Sequence, residues 1–195
     1  MENIEIEIKI KINDETSNFC KNFLVHNARF VDSSQEVDQY LSPSHRNFLA
    51  PEFPYEWLRL RLKNNKVVLN YKHWYPENAE VSTHCDEFET EIQNSDSLLK
   101  IFRALDVTPL IIVDKVREKY NYKDEFDISI DFVKELGYFI EIEYVGTSNI
   151  IEEANKSLLQ IAKTLNLDLS QRDNRGYPYL MLEKVGYFKN YKNDK

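Results

Sequence analysis

Hydrophobic and charged residues alternate without a fault at the start of the chain. From Ile4 to Ile12 an isoleucine stands at every even position and a charged residue at every odd one. A β-strand sends successive side chains to opposite faces, so one face here is pure isoleucine and the other pure charge. On a helix the same isoleucines would scatter around the axis, so the pattern predicts a strand over 4–12. Tyr55 to Lys63 repeats it, with Leu58, Leu60 and Leu62 against Arg59, Arg61 and Lys63. Asn64-Asn65 then makes a good hairpin turn, because asparagine tolerates positive φ. The return strand sets Val67, Leu69 and Tyr71 opposite Val68, Asn70 and Lys72. Further strands are predicted over Gln35 to Leu41, Asp86 to Gln93, Leu110 to Tyr122, Phe126 to Phe132 and Tyr138 to Val145. The last sets Ile140 and Ile142 against Glu141 and Glu143.

Helical spacing appears in three longer stretches. Asn13-Asp14-Glu15 starts a helix that carries Phe19, Cys20, Phe23 and Leu24 and ends near Ala28. Asn94-Ser95-Asp96 caps a second, with Leu98, Leu99, Phe102 and Leu105 as its apolar stripe. Thr147-Ser148-Asn149 caps a third, which buries Ile151, Ala154, Leu158, Ile161, Ala162 and Leu165. A short helix follows over Tyr177 to Tyr187. His45 to Pro54 and Pro76 to His84 read as loops, and Pro109 closes the connection into the long strand. The sum is an α+β chain of about eight hairpin-connected strands and three or four helices. It predicts one domain over residues 1–188 and a frayed tail over 189–195.

The amphipathic helices need apolar surface to cover, and the aliphatic strand faces supply it. Helices outside a closed eight-stranded antiparallel barrel leave the charged faces lining its interior. An ordinary solvent-facing surface would mix signs and carry Ser, Thr, Asn and Gln. Here the signs are segregated by strand: Arg59 and Arg61 are basic only, Lys115 and Arg117 basic only, Glu141 and Glu143 acidic only. Like charges two apart on one strand repel, which a bound ligand or ion relieves. Clustered arginine and lysine suit phosphate oxygens, and facing glutamates suit hard divalent cations such as Mg²⁺ or Mn²⁺. Together they describe a site for a metal-chelated polyphosphate.

Composition narrows the alternatives. A chain of 195 residues, 42% hydrophobic, can bury one sizeable core. No apolar run reaches the roughly 18 residues of a membrane span, and the acidic, strand-like start does not resemble a signal peptide. Cys20 and Cys85 have no metal-ligand spacing and fit a reduced, cytoplasmic protein. A net charge of −8 argues against a nucleic-acid surface but admits a small anion in a locally basic pocket. The four histidines are scattered on helix faces and loops, and Cys20 belongs to an apolar stripe. Trp57, Trp74 and Tyr75 read as packing residues first, with stacking on a base as the alternative. Arg172 and Arg175 can reach a tunnel end.

The same residues resemble a known family. Glu5-Ile6-Glu7-Ile8-Lys9 looks like the E-x-E-x-K signature of the CYTH superfamily, the triphosphate tunnel metalloenzymes. Arg59-Leu60-Arg61, Lys72, Lys115-Val116-Arg117, Asp131 and the run Leu136 to Glu143 resemble its later motifs in order. The match runs from Glu5 to the Tyr179-Leu180 region. The resemblance implies a closed eight-stranded barrel acting on triphosphates with Mg²⁺ or Mn²⁺. It implies Glu5, Glu7, Glu141 and Glu143 as metal ligands and Lys9, Arg59, Arg61, Lys72, Lys115 and Arg117 as phosphate contacts. Lys9, Lys72 and Asp131 take catalytic roles in that picture. The Lys-x-Arg pair and the Asp131 to Glu141 spacing look closest to the class IV adenylyl cyclase branch, which converts ATP to cyclic AMP and pyrophosphate. The alternatives are hydrolysis of tripolyphosphate, thiamine triphosphate or a nucleoside triphosphate, and a polyphosphate-binding module without turnover. The chain departs from the cyclase branch at His73-Trp74 and at Cys85-Asp86, so the organic group of the substrate is left open. The expected partner is a small triphosphate, with neither nucleic acid nor membrane involved and a homodimer left open.

Overall fold

The computed structural model describes residues 4–148, 150–173 and 175–188. In chain order its elements are β1 (Ile4–Glu5), β2 (Glu7–Ile12), α1 (Asp14–Asn27), β3 (Arg29–Pro43), β4 (Glu56–Lys63), β5 (Lys66–Tyr75) and β6 (His84–Ile92). After these come α2 (Ser95–Ala104), β7 (Val107–Tyr122), β8 (Phe126–Val133), β9 (Gly137–Tyr144), α3 (Ile151–Thr164), a 3-10 turn (Leu169–Gln171) and α4 (Gly176–Lys184). The opening alternation is therefore one stretch of chain broken at Ile6. β1 pairs antiparallel with β6 and β2 with β9, while the Ile6 carbonyl accepts from the Tyr144 amide at 2.9 Å. The sheet order is β1-β6-β5-β4-β3-β7-β8-β9-β2, so the bent strand meets both edges and closes the barrel. Nine segments thus make the eight staves expected, in an α+β fold with helices outside.

The barrel is inside out relative to a water-exposed sheet. Ile6, Ile8 and Ile10 pack outward with Ile128, Ile130, Ile140 and Ile142 beneath α1 and α3, against Cys20, Leu24, Ala154 and Leu158. Leu98, Leu99 and Phe102 of α2 cover Leu41, Leu58, Leu60 and Leu69 in the same way. The charged faces turn inward, and Glu5, Glu7 and Lys9 are each less than a tenth exposed. One end of the interior is different. There Tyr40, Trp57, Trp74, Val113, Val133 and Phe139 occupy the inward-facing positions and pack with Tyr177 and Leu182 of α4. The last helix therefore stoppers that end. No helix among the described residues is long and apolar enough to cross a membrane.

Most local expectations hold. The Asn13 side chain accepts from the Thr16 amide (2.8 Å) and the Asn94 side chain from the Ser97 amide (2.9 Å), capping α1 and α2. Asn64 and Asn65 adopt φ of 50° and 61° in the β4–β5 turn. Three expectations change. The short strand over Gln35 to Leu41 is the middle of the longer β3, whose irregular start at Phe30 to Asp32 contains a register shift opposite β7. Pro109 lies within β7 rather than before it, tolerated where a second shift at Tyr40 and Leu41 interrupts the ladder. Among the described residues no side chain caps α3 at its Ile150 start; instead Ser148 Oγ accepts from the Ile150 amide (3.3 Å) and donates to Glu153 (2.8 Å). Asn149 and the tail over 189–195 lie outside the described residues.

Because the aliphatic faces are the core, truncating one of them should cost as much as any core deletion. Ile8→Ala or Ile140→Ala should each lose about 2–5 kcal/mol of stability, read from urea unfolding midpoints.

Candidate active site

Ten of the eleven residues singled out in the sequence line one cavity of about 260 Å³ inside the barrel. Period-two alternation puts them there: Glu5 from β1, Glu7 and Lys9 from β2, Arg59 and Arg61 from β4, Lys72 from β5, Lys115 and Arg117 from β7, Glu141 and Glu143 from β9. The eleventh, Asp131 of β8, stands behind the wall with no exposed surface. Lys11 lies beyond the cavity, over the Phe139 ring at 5.9 Å. Of the histidines, His73 and His84 stack on either side of Tyr75, on the face of β5 away from Lys72 and the cavity. Trp57 and Trp74 border the cavity at its stoppered end but are almost wholly buried. Arg172 and Arg175 belong to the segment leading into α4, where Arg175 is paired with Asp173 at 2.7 Å.

Several inward-facing residues were not anticipated. β3 contributes Glu36 and Asp38, both at most 1% exposed. β6 adds Glu87 and Glu89, β5 adds Asn70, β7 adds Lys119, and α4 brings in Tyr177. Glu36, Asp38 and Tyr40 do alternate in the sequence, but Gln35 and Gln39 beside Val37 make the outward side too polar to mark the strand as inverted.

The buried acids organise the cations. Arg61 forks onto Asp38, with Nε and Nη2 donating to the two carboxylate oxygens at 2.7 Å each, and its Nη1 lies 3.2 Å from Glu36. Arg117 forks in the same way onto Asp131, at 2.7 and 2.6 Å, and donates to Glu141 at 3.0 Å. Lys115 sits between these two pairs, 3.3 Å from Glu36 and 3.4 Å from Asp131. Such forks fix the guanidinium planes and leave other N–H groups for a further anion. Burial alone would raise the Asp38 carboxyl, but Arg59 and Arg61 outweigh it and hold it well below the usual range. Burial, with Arg117 beside it, brings Lys115 down to about 8.

Across the cavity the balance reverses. Lys9 lies 3.3 Å from Glu7 and 3.2 Å from Glu141, and Lys72 contacts Glu5 and reaches Glu87 at 3.4 Å. These two ammoniums do not satisfy the carboxylates around them. Glu7 Oε2 is buried with no partner. Burial raises Glu143 to about 7, with Glu7 and Glu141 adding to the rise against the pull of Lys119 and Lys72. Burial also pushes Glu5 upward against Lys72, helped by Glu7, Glu87 and Glu143. An excess of hard oxygen donors with an unpaired buried oxygen is the environment that a divalent cation relieves. The donor set therefore fits Mg²⁺ or Mn²⁺, although among the described residues no three such side chains already converge on one point.

Two outcomes follow from this division. Asp38→Ala should cost about 3–5 kcal/mol in urea unfolding, because it leaves Arg59 and Arg61 buried without their shared acid. Added tripolyphosphate should then raise the melting temperature of the variant more than that of the wild type. Glu143 gives a pH signature in chelator. Its folded value lies above the unfolded one, so its stabilising share is complete below the ordinary carboxylate range and disappears as pH rises through about 7. Glu143→Gln should match the wild type in stability below about pH 4 and exceed it by about 3 kcal/mol at pH 8.

Comparison with known proteins agrees with this geometry. A protein of Methanocaldococcus jannaschii described as a "putative adenylate cyclase" is 27% identical over 175 residues, 89% of this chain and 96% of its own. A solved structure from Pyrococcus horikoshii superposes with a TM-score of 0.79 at 32% identity, covering 92% of this chain and 99% of that one. At the level of fold alone, a "putative adenylyl cyclase" from Hippeastrum, whose description adds a dominant triphosphatase activity, matches with a TM-score of 0.63 at 16% identity over 94% and 95% of the two chains. The CYTH domain model matches residues 3–177, and the chain belongs to the CYTH family.

Proposed function

We propose that the tunnel is a metal-assisted active site that cleaves the phosphate chain of a small triphosphate. The observation that carries this reading is the pairing of two forked arginines and a depressed lysine on one wall with under-neutralised carboxylates on the other. Lys9, Arg59, Arg61, Lys72, Lys115 and Arg117 hold phosphate oxygens in this reading. Glu5, Glu7, Glu141 and Glu143 hold Mg²⁺ or Mn²⁺, which when bound neutralises charge on the phosphate chain. Asp131 acts from behind, locking Arg117 and Lys115 at the angles that a phosphate meets. Positioning and charge neutralisation are the main means by which proteins accelerate phosphoryl chemistry. Burial would lower Lys9 and Lys72, but their glutamates outweigh it and hold both charged. Lys115, at about 8, is the inner lysine able to take a proton near neutrality.

Within this class the first reading is cyclisation of ATP, in line with the name given to the Methanocaldococcus relative. The ribose 3′-oxygen attacks the α-phosphorus, its proton is lost, and pyrophosphate leaves. A second reading, hydrolysis, is favoured by one observation: the inner aromatic residues Tyr40, Trp57 and Trp74 are packed under α4 rather than displayed to a base. Water then attacks the terminal phosphorus, and orthophosphate and the remaining diphosphate are the products.

Incubation with ATP, tripolyphosphate and thiamine triphosphate, each with Mg²⁺ or Mn²⁺, separates the readings. Cyclic AMP with pyrophosphate marks the cyclase, orthophosphate marks the hydrolase, and no product from any of the three marks a binder. Glu7→Gln or Glu141→Gln should lower metal-dependent turnover by at least about 100-fold; near-normal activity in either would sink the assignment. Tripolyphosphate affinity, measured by calorimetry, should fall as pH rises through about 8 while Lys115 loses its proton. Lys115→Arg should remove that decline.

A further inference from the structure

α4 enters the stoppered end of the barrel by its first turn. Gly176 sits at φ +84°, a conformation that L side chains rarely adopt, and so aims the next residue inward. That residue, Tyr177, is 3% exposed and borders the cavity. Its hydroxyl donates to Asp131 Oδ2 at 2.7 Å, the oxygen that also accepts from Arg117 Nη2 at 2.6 Å. Its ring lies near two ammonium groups from separate strands, Lys9 Nζ at 4.7 Å and Lys115 Nζ at 5.2 Å from the centroid. Phe139 braces the ring edge to face, at 5.1 Å and 71°.

A single side chain from outside the barrel therefore touches cations of β2 and β7 and the carboxylate of β8 that holds Arg117. We propose that Tyr177 is a positioning residue for the phosphate-holding cations: its ring sets Lys9 and Lys115 by cation–π contact, and its hydroxyl fixes Asp131 and, through it, Arg117. Docking of α4 and ordering of the charged layer then become one event. This inference rests on the reading of the tunnel as a triphosphate site. A tyrosine that merely filled space would serve stability alone. Lysine ammoniums drawn to a π-face are restrained without being neutralised, so they stay available to an anion. A ligand meeting pre-set cations loses less affinity to their ordering.

The test compares Tyr177→Phe, which keeps the ring, with Tyr177→Leu, which keeps only apolar bulk. Tripolyphosphate binding is measured by calorimetry without metal, alongside melting temperature. Tyr177→Leu should weaken binding about tenfold or more, and Tyr177→Phe should recover most of it, to within about threefold of wild type, at similar melting temperatures. Two results overturn the inference. Either both variants bind like the wild type, or Tyr177→Phe binds as weakly as Tyr177→Leu, which denies the ring its part. If Tyr177→Leu does not fold, Tyr177→Met takes its place as the ring-free variant: binding about tenfold or more weaker than both wild type and Tyr177→Phe upholds the ring-based role, and binding within about threefold of wild type rejects it. Wild-type protein that binds no tripolyphosphate either alone or with Mg²⁺ overturns the triphosphate reading itself, and this inference with it.

Discussion

Charge buried inside a barrel is tolerable only as a network. Removing an ammonium or carboxylate from water costs several kcal/mol even after relaxation, and only close partners offset it. Two forks, Arg61 on Asp38 and Arg117 on Asp131, meet that requirement on one wall, and Lys115 joins them. The outer aliphatic faces contribute the hydrophobic stability that lets the interior stay polar. Helices α1, α2 and α3 are thus as much a condition of the site as the strands that carry it.

The two walls of the cavity are unlike in a way that bears on chemistry. On the β3–β4–β7–β8 side every acid is ion-paired and two arginines are forked, although Glu36 Oε2 and Arg59 Nε lack a hydrogen-bond partner among the described residues. On the β1–β2–β9 side carboxylates outnumber their partners, and Glu143 is driven toward neutrality. A polyanion alone would satisfy the first wall and worsen the second. A polyanion that arrives with a divalent cation satisfies both, which is the physical case for a chelated substrate.

Much of this was legible in the chain. Isoleucine and leucine at every second position, set against charge that on the later strands is of one sign, marked both the strands and their inversion. Ten of the eleven site residues named there line one cavity because period two leaves each strand no choice of face. Glu36 and Asp38 escaped notice because the outward side of β3 carries glutamines, so its polarity contrast is weak. Tyr177 escaped for a different reason: nothing in local spacing shows that a C-terminal helix turns into a barrel end, and only the tertiary contact with Asp131 reveals it. The start of α3 misled because Ser148 Oγ accepts from Ile150 and donates to Glu153 rather than accepting from a first-turn amide of the helix.

The break at Ile6 has a mechanical consequence. β1 is held to β6 over two residues only, so the barrel is closed by its shortest ladder. Glu5 lies on that seam, and Lys72 of β5 and the Cys85 thiol of β6 both reach it from the far side. A short ladder opens at low cost, and here opening would separate Glu5 of β1 from Glu87 of β6, both of which border the cavity. A cation shared between Glu5 and Glu87 would act as a clasp on the seam. Occupancy of the tunnel and resistance of the barrel to unzipping would then rise together, with amide exchange slowing first along Ile4 to Glu7.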